Sequence, residues 1–220
     1  MHLRQLAPHL HPKFYAVLEK QNLDDLRPCQ AKALGKGLLK HKSLLVCTPT
    51  GSGKTLVAEL AAVNTILNKE GKAVYIVPLK SLATEKYKDF KQKYGHLFRI
   101  ALSIGDLDSA DPYLVDYDLV ITTSEKLDSL IRHKTPWLSR VRVLVVDEIH
   151  LLNDPGRGPT LEILITLLRQ LLKDIQIIGL SATIGNPKEL ADWLGAEVVL
   201  DDWRPVELRK GIYLDGKVEF

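Results

Sequence analysis

The sequence predicts an α/β fold, a mostly parallel central sheet with helices on both faces. Three observations carry this. Short apolar, β-branched runs alternate with amphipathic stretches nearly throughout the 220 residues. The runs are apolar at successive positions, the pattern of strands buried on both faces. A glycine-rich turn, Thr50-Gly51-Ser52-Gly53, stands between the first run and the first long helical stretch.

Helical segments at 14–20 and 28–40 precede the first strand. Strands follow at 43–47, 73–77, 99–104, 119–122, 141–146, 176–180 and 197–200. The amphipathic stretches 53–68, 81–93, 124–133, 160–172 and 187–194 lie between them. Each crossover should be right-handed, and ligands should bind beyond the carboxyl ends of the strands. At 212–220 the pattern is a hairpin, with Asp215-Gly216 supplying a type I′ turn. The expected organisation is a helical segment at 1–40, the sheet domain at 41–205, and a strand or hairpin at 206–220 leading to a further domain.

Hydrophobic residues at 45% and charged residues at 26% give the balance of a soluble globular protein. A net charge of +3 permits a nucleic-acid partner without arguing for one. Cys29 and Cys47 are too few for a zinc site or disulfide framework, and a reducing, cytoplasmic setting fits. The most apolar segment, 161–172, is interrupted by Glu162, Thr166, Arg169 and Gln170, so it reads as a buried helix and no membrane partner is expected. His2, His9 and His11 have no partner cluster that would make a metal site. Trp137, Trp193 and Trp203 read as packing residues, and Lys86, Lys88, Lys91 and Lys93 as the solvated face of a helix.

Thr48-Pro49-Thr50-Gly51-Ser52-Gly53-Lys54-Thr55 follows a strand and opens a helix, the context a P-loop requires. Small residues let the backbone curl around a polyphosphate, and the helix turns its positive dipole end toward the same charge. Lys54 would span the β- and γ-phosphates and the Thr55 hydroxyl would hold Mg²⁺. Thr48 stands where the pattern usually has glycine or alanine.

A second apolar strand, Val143-Leu144-Val145-Val146, ends in Asp147-Glu148-Ile149-His150. Asp147 can reach the Mg²⁺ shell while Glu148 points toward an attacking water, so Lys54, Asp147 and Glu148 are the candidate catalytic set.

Asp147-Glu148-Ile149-His150 resembles the DExH box, and other segments match superfamily 2 helicases in order. Leu26-Arg27-Pro28-Cys29-Gln30 is similar to the motif whose glutamine reads adenine, which implies ATP as the nucleotide and Gln30 as its reader. Pro78-Leu79-Lys80-Ser81-Leu82-Ala83 and Thr122-Thr123-Ser124-Glu125-Lys126 resemble the two motifs that hold a strand by its phosphates. With the segment 154–162, they make Lys80, Thr123, Ser124, Lys126, Arg157 and Thr160 the implied nucleic-acid contacts; Thr123 or Ser124 could equally cap the next helix. Ser181-Ala182-Thr183 resembles the coupling motif, and the resemblance adds His150 to Ser181 and Thr183 as coupling residues.

The segments 154–162, 180–194 and 202–206 look like the superkiller-like branch, most similar to archaeal Holliday-junction-migration-type DNA helicases. That resemblance implies a RecA-like domain, 3′-to-5′ movement on single-stranded or forked DNA with RNA as the alternative track, and a second RecA-like domain as partner. No Gln-x-x-Gly-Arg-x-Gly-Arg segment, the second domain's arginine motif, is present. The expectation is a half-motor that binds ATP with Mg²⁺ and turns it over slowly or not at all alone. A P-loop kinase or GTP switch would show an arginine-bearing lid or an Asn-Lys-x-Asp segment, and neither is found. Against a non-catalytic adaptor stand the intact Lys54, Thr55, Asp147 and Glu148.

Overall fold

The structure is a computed structural model that describes residues 1–105, 109–207, 211–214 and 216–219. Its strands are β1 (Leu44–Cys47), β2 (Lys72–Ile76), β3 (Ile100–Ser103), β4 (Leu119–Thr122), β5 (Val141–Val146), β6 (Gln176–Ser181) and β7 (Glu197–Leu200). They form one sheet in the order β3-β4-β2-β5-β6-β1-β7, and every pairing in it is parallel. A separate antiparallel pair, β8 (Ile212–Leu214) and β9 (Lys217–Glu219), closes the chain as the hairpin pattern anticipates. The Asp215 of its expected turn lies outside the described residues.

The helices are α1 (Pro12–Lys20), α2 (Pro28–Gly35), α3 (Lys54–Leu67), α4 (Lys80–Tyr94), α5 (Ser124–Arg132), α6 (Gly158–Leu171) and α7 (Pro187–Leu194). Successive strand residues face opposite ways, so continuous apolar runs feed two cores. Leu44, Val46, Ala73, Tyr75, Val143 and Val145 meet α1, α3 and α4 on one side. Leu45, Cys47, Val74, Ile76, Leu144 and Val146 meet α5, α6 and α7 on the other.

Differences from the sequence expectation have local causes. The helix expected over 28–40 stops at Gly35, because Gly37 adopts φ 94° and the chain continues as a 3₁₀ turn at Leu38–Lys40. Further 3₁₀ turns at Leu3–Leu6, Pro112–Asp116, Pro136–Arg140 and Ile149–Asn153 are too short to show a periodicity in sequence.

The N-terminal segment is built into the first core. His11 N–H donates to the Asn64 side chain of α3 at 2.8 Å. Phe14 packs edge-on against Tyr94 (5.8 Å between centroids), Tyr94 against Phe90 (5.7 Å) and Phe90 against Tyr75 of β2 (5.5 Å). All four rings are fully buried.

Candidate functional site

Because the sheet is parallel, every loop that leaves a strand's carboxyl end emerges on one edge. Along that edge the strand order places the segments after β4, β2, β5, β6, β1 and β7 side by side. The Thr122–Lys126 and Pro78–Ala83 segments therefore occupy one half, and Ser181, the P-loop and the 201–205 segment the other, with Asp147 and Glu148 between them. Register sharpens this: Cys47 pairs with Ser181, Val146 with Gly179, and Ile76 with both Val146 and Thr122.

The P-loop is held from several directions. Thr48 Oγ1 and Ser52 Oγ share a 2.7 Å hydrogen bond inside the loop, which gives the unusual Thr48 a physical role. Gln30, buried on α2, accepts from Arg27 N–H at 2.8 Å and donates to the Gly53 carbonyl at 3.0 Å. The Arg27 guanidinium donates to the Gly51 carbonyl and lies 5.6 Å from the Trp203 ring centroid. Asp201 fixes that tryptophan by accepting from its backbone N–H at 2.7 Å and pairs with Lys32 at 2.8 Å. Gly53 has φ 95°, and a Cβ on it would strike the Gln30 amide, so only glycine fits between α2 and the loop.

This cradle fits a polyphosphate. The first turn of α3 has no side-chain cap and no acidic residue, so nothing at that helix end opposes an anion. Lys54 Nζ donates to the carbonyls of Thr48 (2.8 Å) and Pro49 (3.3 Å). Burial pulls its pKa below the usual lysine value, against the carboxylates of Glu148 and Asp147, which favour its charge.

The carboxylate pair occupies the turn after β5. Asp147 N–H donates to the Ile76 carbonyl at 2.9 Å, and Tyr75 Oη donates to Asp147 Oδ2 at 3.0 Å. Burial, and then the Asp147 charge, push the Tyr75 phenol well above its ordinary pKa, so it is a fixed donor. Glu148 is a non-glycine residue in the left-handed region, at φ 51° and ψ 44°, a conformation that costs roughly 1 kcal/mol or more. Its carboxylate reaches His150, whose Nδ1 lies 3.3 Å from Glu148 Oε2 at ion-pair distance but without hydrogen-bond geometry. His150 also lines a cavity of about 620 Å³ with Asn153, Ile184, Asn186 and Glu189.

The hard oxygens of Thr55 and Asp147 suit Mg²⁺, and their placement around one cation supports the fit. Lys86 Nζ lies 3.2 Å from Thr55 Oγ1 and 3.8 Å from Asp147 Oδ2, with the Tyr75 ring centroid 5.7 Å away. Of the coupling candidates, Ser181 is fully buried at the end of β6, while Thr183 is exposed just beyond it.

The nucleic-acid candidates divide. Lys80 is exposed at the start of α4. Arg157 and Thr160 are half-buried at the start of α6, where Asp154 Oδ1 accepts from the Gly156 and Arg157 N–H groups at 2.9 Å each and shapes the loop. Thr123 is the N-cap of α5, its hydroxyl accepting from Lys126 N–H at 3.5 Å, and both it and Ser124 are buried. Lys126 differs from expectation. Its side chain is 1% exposed, and its ammonium turns inward to Asp111 at 3.2 Å and the Ser109 carbonyl at 2.8 Å. The expected phosphate contact by that ammonium does not fit this placement.

Sequence reasoning missed Lys86, Tyr75, Arg27 and Asp111, whose roles depend on partners 24 to 72 residues away or, for Asp111, on a buried lysine. The apolar run 73–77 marks Tyr75 as part of a buried strand, but does not show that its hydroxyl meets a carboxylate. Among the described residues there is no cluster of three or more metal-ligating side chains of the histidine, cysteine and carboxylate kinds, and no helix long and apolar enough to cross a membrane.

A phosphate loop after β1 and paired carboxylates after β5 of a parallel sheet define a P-loop nucleotide-binding domain. A sequence model of the DEAD/DEAH box helicases matches residues 27–190, and the chain belongs to that family. It is 56% identical over 217 residues to the ATP-dependent DNA helicase Hel308 of Methanocaldococcus jannaschii, covering 94% of this chain and 18% of that protein. The Hel308 of Pyrococcus horikoshii is 54% identical over 202 residues, covering 92% of this chain and 28% of that protein. The crystal structure of the DUF1998 helicase MrfA bound to DNA matches with a TM-score of 0.77 at 28% identity, over 88% of this chain and 30% of that one. The chain thus spans less than a third of the length of these relatives.

Proposed function

We propose that the chain is the ATP-binding motor domain of an ATP-dependent DNA helicase, moving 3′ to 5′ on single-stranded or forked DNA. It works with a second RecA-like domain, in an intracellular setting. The observation that carries this reading is the order of segments on the carboxyl edge: strand-gripping segments on one half, the phosphate loop on the other, the carboxylate pair between. When bound, ATP brings the transferable γ-phosphoryl group, and Mg²⁺ the charge that neutralises it. Thr50, Gly51, Ser52 and Gly53 supply the curved backbone, Lys54 a cation for the β- and γ-phosphates, and Thr55 and Asp147 the metal ligands. Glu148 orients the attacking water and accepts its proton. Gln30 reads the adenine edge, exchanging one of its two present hydrogen bonds to do so. His150, Ser181 and Thr183 relay nucleotide state. Lys80, Arg157 and Thr160 hold strand phosphates through side chains, and Thr123 and Ser124 serve from the cap of α5.

Steady-state ATP hydrolysis with Mg²⁺, with and without single-stranded DNA, tests the reading alongside direct nucleotide binding. Nucleotide binding with slow turnover in this chain, and DNA-stimulated turnover once the second domain is present, is the expected result. No nucleotide binding would overturn it. Competition between matched DNA and RNA oligonucleotides decides the track, since the 2′-hydroxyl is the main difference on offer.

A further inference from the structure

We infer that Lys86 is a positioning residue whose ammonium and the divalent cation are alternative occupants of one place, the gap between Thr55 Oγ1 and Asp147 Oδ2. This rests on the nucleotide-motor reading and deepens it. The ammonium reaches both oxygens, at 3.2 Å and 3.8 Å. It does so from α4, an element outside both the P-loop and the carboxylate turn. Its ammonium lies 5.7 Å from the centroid of the buried Tyr75 ring, and Tyr75 Oη holds the same Asp147 oxygen at 3.0 Å, so lysine and tyrosine converge on one carboxylate oxygen. The side chain is 22% exposed, which leaves the charge weakly screened.

A metal ion between these oxygens would stand within a few ångströms of that ammonium. Like charges at such a distance repel strongly in a half-buried site. Metal binding therefore has to move Lys86 aside, and a Lys86 drawn away should favour the metal. The helix that carries it supplies the lever. α4 begins at Lys80, the exposed phosphate contact of the strand-gripping half, and Ala83 N–H closes its first turn onto the Leu79 carbonyl at 2.9 Å. A strand phosphate that pulls on the start of α4 pulls on Lys86, so strand binding should tighten metal binding through this one helix.

The test is a titration of Mg²⁺ against binding of a fluorescent, non-hydrolysable ATP analogue to the full chain, read as the Mg²⁺ midpoint. Lys86→Met keeps an unbranched side chain of similar length and removes the charge; its midpoint should fall about tenfold. Lys86→Arg should return toward wild type, and Lys88→Met, on the exposed face of α4, should not move it. Lys86→Gln serves as a second neutral variant where Lys86→Met folds poorly, with thermal unfolding recorded for each. A midpoint that stays or rises in both neutral variants overturns the inference while ordinary nucleotide binding leaves the motor reading standing. An equal shift in Lys88→Met overturns it as well, because bulk charge would then explain the change. Wild-type protein that binds no nucleotide at any Mg²⁺ concentration removes the motor reading itself, and this inference with it.

Discussion

The two halves of the sheet's carboxyl edge use similar residues in different ways. On the phosphate-loop half, the groups that would meet the ligand are wired before it arrives: Thr48 to Ser52, Gln30 to Gly53, Arg27 to Gly51, Lys54 to its own loop. On the strand half, one motif lysine stands exposed in solvent and another is buried as a post. Lys80 has the freedom to meet a moving backbone, whereas Lys126 is bonded to Asp111 and Ser109 beneath the cap of α5. A site for one fixed polyphosphate gains from preorganisation. On the proposed reading, a surface over which a strand slides would gain from side chains that release easily. Two lysines of similar motifs can thus serve opposite purposes, and burial tells them apart.

The sharpest break in the comparison is chemical. In the intact protein, Glu148→Gln should cut ATP turnover by about 10²–10⁴-fold while leaving nucleotide affinity unchanged, as single-turnover and equilibrium binding measurements would show. Normal turnover would remove Glu148 from the water-orienting role. Next is the lysine pair. Lys126→Ala leaves Asp111 without its cation and should cost about 3 kcal/mol of stability, read by urea unfolding. Lys80→Ala should leave stability alone and lower the salt dependence of single-strand binding by about 0.7 in log–log slope. Equal effects of the two substitutions on binding, with none on stability, would dissolve the contrast.

Gly53→Ala should cost about 1–2 kcal/mol through its positive φ alone, and more because the new methyl displaces Gln30. Its measurable signature is weaker nucleotide binding without loss of strand binding. The smallest effect concerns pH. Burial favours the neutral form of Asp111, but hydrogen bonds from Ser109, Ser103 and Lys126 outweigh it and hold its pKa below the ordinary carboxylate value. A lowered folded pKa gives stability that is full above the unfolded value of about 3.9 and lost as pH falls through the folded one. Asp111→Asn should therefore flatten the acid limb of the stability curve; an unchanged limb would deny Asp111 that role.

Much of this was legible in the sequence because it is local. The P-loop and the carboxylate turn are contiguous segments at strand ends, and continuous apolar runs announce a parallel sheet before any strand is paired. The helix expected over 28–40 ends early because Gly37 acts through its φ, which composition does not display. The inward turn of Lys126 is not legible because a motif match gives a position and not the direction of a side chain. In the sequence Lys86 is one of four lysines on a solvated helix face, and only the packing of α4 beside β2 and α3 turns it toward Thr55. Tyr75 and Asp147 are 72 residues apart, and it is the pairing of β2 with β5 that makes them neighbours.

The line of rings from Phe14 through Tyr94 and Phe90 to Tyr75 ends on the hydroxyl that holds Asp147. Trimming the chain back to its sheet would therefore remove more than an ornament. Without α1, Tyr94 would lose the ring packed against it, α4 would loosen, and the carboxylate at the far end of the row would lose its alignment. Anyone seeking a smaller working version of this domain should expect the first twenty residues, which hold no motif at all, to be among the least dispensable.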